Sequence, residues 1–268
     1  MSTVLKALHL LDLFTRSQPQ IGLSDLARLA GVNKATCFRL MADLCAAGLA
    51  EQVDASKEYR LGPALLRLAA LREANVPLRD AALPDLQALA RQTGETAHLS
   101  LLVGTDLRPL AHAYSSAHAS KITMEDVRVF PFHATSSGLA VLTFQPPTFR
   151  EAVFARPMPA LTAQTQTDPA MLRQRLGQIE RQGFAESHGT FEADVTSFAV
   201  PLFDALGRCT GALSTAAVAS RVGPAQSRLI RTALITTARR IIALWGGCLP
   251  PTLDTIWTAS ETLAQEPT

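Results

Sequence analysis

A lysine and an arginine within two helical turns of each other, with a hydroxyl between them, form a set suited to phosphates and base edges. The stretch SDLARLAGVNKATCFRL carries such a set, with Lys34, Ala35, Thr36 and Arg39 directly after Asn33. No acid interrupts it, so a local basic face is available although the whole chain has a formal net charge of only +2. A basic face can engage phosphates even when its domain is near neutral. Over residues 1–62, seven lysines and arginines stand against six acids. The case for a nucleic-acid partner therefore rests on placement rather than on composition.

Other chemistries find little support. The histidines (His9, His98, His112, His118, His133, His188) show no HxxxH or HExxH spacing and the four cysteines no CxxC, so neither a metal site nor a cofactor is expected. Ser136-Ser137-Gly138 lacks the Gly-x-Ser-x-Gly pattern of a nucleophile elbow, and no other catalytic constellation stands out, so the chain is not expected to be an enzyme. Cys37, inside the basic stretch, reads as a small packing residue. A chain of 268 residues, 47% apolar and 18% charged, suffices for one large or two ordinary domains. The first apolar segment is broken by Lys6, His9 and Asp12, and nowhere do eighteen apolar residues run together, so neither a signal peptide nor a membrane span is expected. A reducing cytoplasm suits four cysteines with no disulfide framework.

The elements that position the basic set follow from periodicity. Leu5, Leu8, Leu10, Leu13 and Phe14 fall at helical spacing, and Gln18-Pro19-Gln20 ends that helix. Ser24 stands where an N-cap belongs, Leu26, Leu29 and Ala30 give an apolar stripe, and Gly31 closes the second helix. Asn33 caps a third, whose expected inner face is Phe38, Met41, Leu44 and Cys45. Two short helices joined by a Gly-containing turn can be a helix-turn-helix or an ordinary core pair. LAEQVDASKEYRLG decides for the former, because it reads as two short strands around Asp54–Lys57 and so completes a winged helix. The expected DNA-contacting set is Ser24, Asn33, Lys34, Ala35, Thr36 and Arg39, with Lys57, Tyr59 and Arg60 on the wing.

PALLRLAALRE, from Pro63, is a further helix rich in leucine and alanine, either a connector pairing with its symmetry mate or a helix buried in its own domain. Beyond Pro77, helices alternate with two hairpins, turning at Gly104–Asp106 and Asp204–Gly207, and a long helix closes on Leu229, Ala233, Ile241 and Trp245. An antiparallel sheet flanked by helices, an α+β domain, is expected. The last twenty residues, with Pro250, Pro251 and Pro267, read as a loosely held tail. The division is then 1–62 winged helix-turn-helix, 63–76 linker helix, 77–248 effector domain and 249–268 tail.

The order VLKALHLLDLF, LSDLARLAGVNKATCFRLMADLCAAGLAEQ, YRLGP, FPFHATSSGLAVL, GFAE and TSFAVPLFDALGRCTGALSTA resembles the IclR family of bacterial transcriptional regulators over nearly the whole chain. The resemblance implies a GAF-like C-terminal domain that binds a small molecule, and a dimer or dimer of dimers on a palindromic promoter site. It also implies an effector pocket at His133–Gly138, with Ser136, Ser137 and Gly138 at a helix start suited to a carboxylate, and with Ser187, Ser197 and Ser214 as polar neighbours. His98, just after Gly94-Glu95-Thr96, is the one histidine expected to line it. The expected ligand is a small organic acid, aromatic carboxylates included. Val127, Val129 and Leu139 depart from the family's glycine, basic residue and lysine, and Glu192-Ala193-Asp194 lacks its glycine. The alternative is a small-molecule sensor or enzyme whose N-terminal helices serve only for dimerisation.

Overall fold

The computed structural model describes residues 2–15, 17–75, 77–123 and 127–265. The chain divides into two compact units, Met1–Pro77 and Leu78–Thr268, each with its own core.

The first unit opens with α1 (Thr3–Asp12), capped by Ser2, then α2 (Leu23–Leu29) and α3 (Lys34–Ala46). Strands β1 (Ala50–Gln52) and β2 (Tyr59–Leu61) pair antiparallel, and α4 (Ala64–Asn75) follows. Leu10, Ile21, Leu26, Cys37, Leu40, Met41 and Leu44 make the core between the first three helices. This is a winged helix-turn-helix. Gly31, at φ +66°, takes the left-handed conformation that lets the chain leave α2 and re-enter α3 within a short turn.

Two expectations change here, and an alternative left open for α4 narrows. The N-cap of α2 is Gly22, and Ser24 is an exposed residue inside the first turn with no capping bond. The helix starts early because Leu23 is already needed against the core beside Leu26 and Ala27. Cys37 and Leu40, rather than Phe38 and Cys45, complete the buried face of α3, and Phe38 is 57% exposed. Burial pushes the Cys37 thiol above its usual range, as its reading as a packing residue requires. On α4, Leu66, Leu68 and Leu71 are all exposed, so the helix is not buried within its own unit. The break expected at Val76 lies outside the described residues.

The second unit begins with α5 (Leu78–Thr93), which starts five residues before the expected Leu83 and runs through Pro84. A five-stranded antiparallel sheet of order β4-β3-β7-β6-β5 comprises β3 (Thr96–Val103), β4 (Asp106–Ala113), β5 (Ala185–His188), β6 (Val195–Phe203) and β7 (Cys209–Val218). Between β4 and β5 come α6 (Ser136–Thr143), α7 (Pro147–Phe154) and α8 (Pro169–Gln182). After β7, α9 (Pro224–Leu244) contacts α5, β6 and β7, while α6 contacts β5, β6 and β7. Within α9, Ala233, Ile241 and Ile242 are buried as the core requires, while Leu229 is 40% exposed and Trp245 only half-buried.

The expected tail is instead a helix, α10 (Pro251–Gln265). Prolines were misleading there because Pro251 occupies the first helical turn, where its missing N–H has no partner to lose. Leu253 and Trp257, four residues apart, are both fully buried, and the Trp257 indole donates to the Gly183 carbonyl at 2.8 Å. Arg239 of α9 pairs with Asp254 and Glu261 of α10. Pro267 lies outside the described residues.

Candidate functional sites

On α3, Asn33 takes an extended conformation and its Oδ1 accepts the Thr36 N–H at 2.8 Å, so its side chain is committed to the cap. Lys34, Ala35 and Arg39 are exposed and Thr36 is half-buried at the edge of the same face. The first turn of α3 is free of acids. On the wing, Lys57 sits at the tip with φ +60°, donating its N–H to the Val53 carbonyl and accepting from Gln52 Nε2 at 2.8 Å. Arg60 is exposed and pairs with Glu51 across the ladder at 2.5 Å, which offsets part of its charge. Tyr59 does not belong to this surface. It is 4% exposed, bridged to Ile21, and packs in the core, because the period-2 alternation of β2 turns it opposite to Arg60.

In the second unit the sheet register assembles a polar floor. Ala216 pairs with Thr96 on one side and Ser197 on the other, and Ser197 pairs with Ser187, while His98 pairs with Ser214 in the neighbouring row. The start of α6 stands over this floor. Thr135 is its N-cap, with Oγ1 accepting the Gly138 N–H at 3.0 Å, which leaves the first-turn N–H groups of Ser136 and Ser137 without partners in the helix. The Ser136 hydroxyl donates to Ser197 at 2.8 Å, and the Ser137 hydroxyl donates to Ser214 at 2.8 Å. Ser214 in turn donates to the His98 carbonyl at 3.3 Å. Ser187 and Thr190 hydroxyls hold each other and the Ala134 carbonyl. These bonds fix the loop that leads into α6.

A small cavity of about 40 Å³, roughly the space of a few waters, opens between these groups. His98, Ser136, Ser137, Ser187 and Ser197 line it. Gly138 and Ser214, expected beside them, do not, and each acts from behind. A Cβ on Gly138 would lie 2.5 Å from the Phe132 Cα, so glycine is what lets α6 start so close to the preceding turn. Ser214 orients Ser137. Of the apolar wall, Ile122, Phe130 and Phe191 escaped sequence reasoning, while Val127 and Thr135, the latter within the expected His133–Gly138 segment, line the cavity with them. Of the departures noted in the sequence, Val127 and Glu192 reach the cavity, and the Val127 side chain occupies space that glycine would leave open. Val129 is exposed, and Leu139 faces a separate, wider cleft with Arg175, Glu186 and His188.

Charge in the cavity is sparse. Among the described residues its lining holds no lysine or arginine, only His98 and Glu192 as ionisable groups. His98 is 4% exposed, stacks on Phe130 at 5.4 Å, and its Nδ1 has no hydrogen-bond partner among the described residues. Burial, helped by His112, lowers its pKa to about 4. At neutral pH the ring is therefore uncharged and offers a neutral donor or acceptor.

Residues 70–243 match the family description "Bacterial transcriptional regulator IclR C-terminal" and residues 3–54 match the "IclR helix-turn-helix domain". The chain belongs to the IclR family. This IclR-family protein is a ligand-responsive, DNA-binding transcriptional regulator. It is 30% identical over 220 residues to the glycerol operon regulatory protein of Streptomyces griseus, covering 82% of this chain and 85% of that one. The crystal structure of a putative IclR transcriptional regulator from Silicibacter sp. TM1040 is 51% identical, with a TM-score of 0.87 over 94% of this chain and 99% of that one. An IclR homologue from Microbacterium hydrocarbonoxydans, solved with 4-hydroxybenzoate, is 26% identical with a TM-score of 0.55, covering 90% of this chain and 100% of that one.

A pH dependence follows for this IclR-family protein. His98 titrates near 4 when folded and near the ordinary 6.5 when unfolded, so between those values the unfolded chain binds more protons. Acid therefore destabilises the fold. The expected loss on going from pH 6.5 to pH 4 is about 3 kcal/mol from this group alone, read by denaturant unfolding at each pH. His98→Gln should flatten that component, and an unchanged slope in the variant would remove His98 as its source.

Proposed function

We propose that Lys34, Thr36 and Arg39 of α3 read the operator, with Lys57 and Arg60 of the wing on phosphates, and that Ser136 and Ser137 at the start of α6 hold the effector. Asn33 and Gly138 set the geometry of these two sites. The observation that carries the DNA half is the outward face of the first two turns of α3, which bears Lys34 and Arg39 and no acid, since α2 and the core occupy the other side of the helix. The first-turn N–H groups of Ser136 and Ser137, which have no partner within α6, over a serine floor carry the effector half. The protein acts in the cytoplasm as a regulator and not as an enzyme.

The effector fitting this cavity best is a small monocarboxylate. Two first-turn amides and the helix dipole favour one carboxylate, Glu192 disfavours a second, and Ile122, Val127, Phe130 and Phe191 offer an apolar wall to the rest of the molecule. Oligomerisation proceeds through the first unit, where Val4, Leu5 and Leu8 of α1 and Leu66 and Leu68 of α4 are exposed. A two-fold dimer would set two α3 helices on a palindromic site about one DNA turn apart. Ligand shifts that placement only in so far as it binds the two arrangements with different affinity.

Selection of bound duplexes from random DNA, followed by gel shifts at graded salt, tests the first half. Arg39→Ala should weaken the selected duplex by about 1–3 kcal/mol, while Ser137→Ala should leave DNA affinity nearly unchanged and alter the ligand response. Equal behaviour of the two variants would end the division of labour. Thermal shifts with acetate, propionate, benzoate and 4-hydroxybenzoate test the second, and an equal or larger shift with a dicarboxylate such as succinate would refute the monocarboxylate reading.

A further inference from the structure

Among the described residues Phe38 is the only exposed phenylalanine, tyrosine or tryptophan, and it lies in the middle of α3. Its neighbours on the outward arc are Lys34 one turn before it, Ala35 three residues before it, Arg39 beside it and Ala42 one turn after it, all exposed. Every other phenylalanine, tyrosine or tryptophan side chain described is at least partly covered by its own unit. Nothing in the core of the first unit calls for a phenyl ring here, because Cys37, Leu40, Met41 and Leu44 already fill the inner face of the helix.

We propose that Phe38 reads a thymine in the major groove by packing its ring on the 5-methyl group. The inference rests on α3 being the recognition helix, and it adds an apolar contact to a face otherwise described by its cations. The reasoning is one of chemical matching. Along the major-groove edges of the four base pairs, the thymine methyl is the apolar group, whereas the other positions are donors and acceptors. A phenyl ring next to a donor or acceptor would strip it of water and return no hydrogen bond. Ala35 and Ala42 flank the ring with single methyl groups, so the backbone of α3 can approach base edges closely on either side. Lys34 and Arg39 border the same arc, where they hold the helix in register on phosphates or guanine and leave Phe38 facing the floor of the groove. The ring thereby acts as a specificity-determining residue whose contribution does not depend on ion release.

Replacing thymine by deoxyuridine removes that methyl and keeps the base pair, which gives a direct test with the full-length protein. The probe is a duplex selected from random DNA by the wild-type protein, with each thymine exchanged in turn. At one thymine per half-site, the exchange should weaken wild-type binding about fourfold, the equivalent of one buried methyl group. Phe38→Ala should bind the thymine duplex about as weakly as wild type binds the deoxyuridine one, with no discrimination between the two at that position. The wild-type ratio should stay constant between 50 and 200 mM salt while both affinities fall steeply. Arg39→Ala should lose affinity for both duplexes and keep the discrimination. If Arg39→Ala weakens binding while wild type and Phe38→Ala respond alike to every exchange, the thymine contact is refuted and the reading of α3 stands. If neither variant affects binding, α3 is not the reader and both fall. Light scattering should show Phe38→Ala in the wild-type oligomeric state, and a lower state would place the ring in a protein interface and overturn the proposal.

Discussion

Trp257→Ala lowers the free energy of unfolding by about 3–5 kcal/mol, the range for deleting a fully buried large aromatic side chain. The indole is 0% exposed, packed against Gly183 so closely that a Cβ there would lie 2.9 Å from it, with its N–H on the Gly183 carbonyl at 2.8 Å. Two losses combine on truncation. The apolar volume becomes a cavity that the rigid end of α8 and the strand beyond it can refill only in part, and the Gly183 carbonyl loses its donor. Trp257→Phe separates them, since it keeps most of the volume and gives up the N–H, and it should cost about 1 kcal/mol. Guanidinium unfolding measures both. A loss below about 1 kcal/mol for the alanine variant would mean that α10 adds nothing to the stability of the second unit. A loss in the expected range would mean that ending the chain at residue 248 removes part of the core.

Glu95→Ala should cost nearly as much and should also disturb the proposed effector pocket. Glu95 is 3% exposed and receives both arms of the Arg221 guanidinium, at 2.9 and 2.7 Å. Removing one partner of a buried pair leaves the other charge uncompensated, a loss of about 3–5 kcal/mol when both are fully buried. Arg221 is about one-fifth exposed, so water relieves part of that penalty and the lower end of the range is expected. Arg221 also donates to the Ser120 carbonyl and hydroxyl, and next to Glu95 the Thr96 hydroxyl donates to the Ile122 carbonyl at 2.7 Å. Because Ile122 lines the cavity, loosening this anchor moves one of its walls. Glu95→Ala should therefore lower both stability and effector affinity, while Glu95→Gln keeps an acceptor for Arg221 and loses less of each. An alanine variant with wild-type stability would show that the pair contributes no net stabilisation.

The two halves of the chain differed in how openly the sequence declared them. In the first unit, local rules sufficed for most of the architecture: Asn33 as a cap, Gly31 as a helix stop and the alternation of the wing each depend on a few neighbouring residues. The same rules failed for Tyr59 and Phe38. An aromatic side chain on a basic wing invites a role at the surface, and one on an amphipathic helix invites a role in the core, yet the structure reverses both. Helical spacing leaves residues at the boundary of the apolar stripe free to fall on either side. What decided Phe38 was the volume already filled by Cys37 and Leu40, and what decided Tyr59 was its bridge to Ile21, thirty-eight positions earlier.

By itself, the sequence determined the order of the elements apart from α7 and α10, the helix-turn-helix with its basic outward face, the serines at the start of α6, and the family. All of these rest on contiguous motifs, whose caps, turns and periodicities act over a few residues. Only the tertiary structure decided how the pocket is assembled. Register across four strands brings Thr96, Ala216, Ser197 and Ser187 into one row, and this places Ser214 behind Ser137 rather than in the cavity. The tertiary structure likewise made a helix of the expected tail, because Trp257 is stabilised by a groove beside Gly183 that no local pattern near residue 257 encodes. Contacts between residues far apart in the chain depend on how strands and helices stack, and a single sequence carries no periodic trace of them.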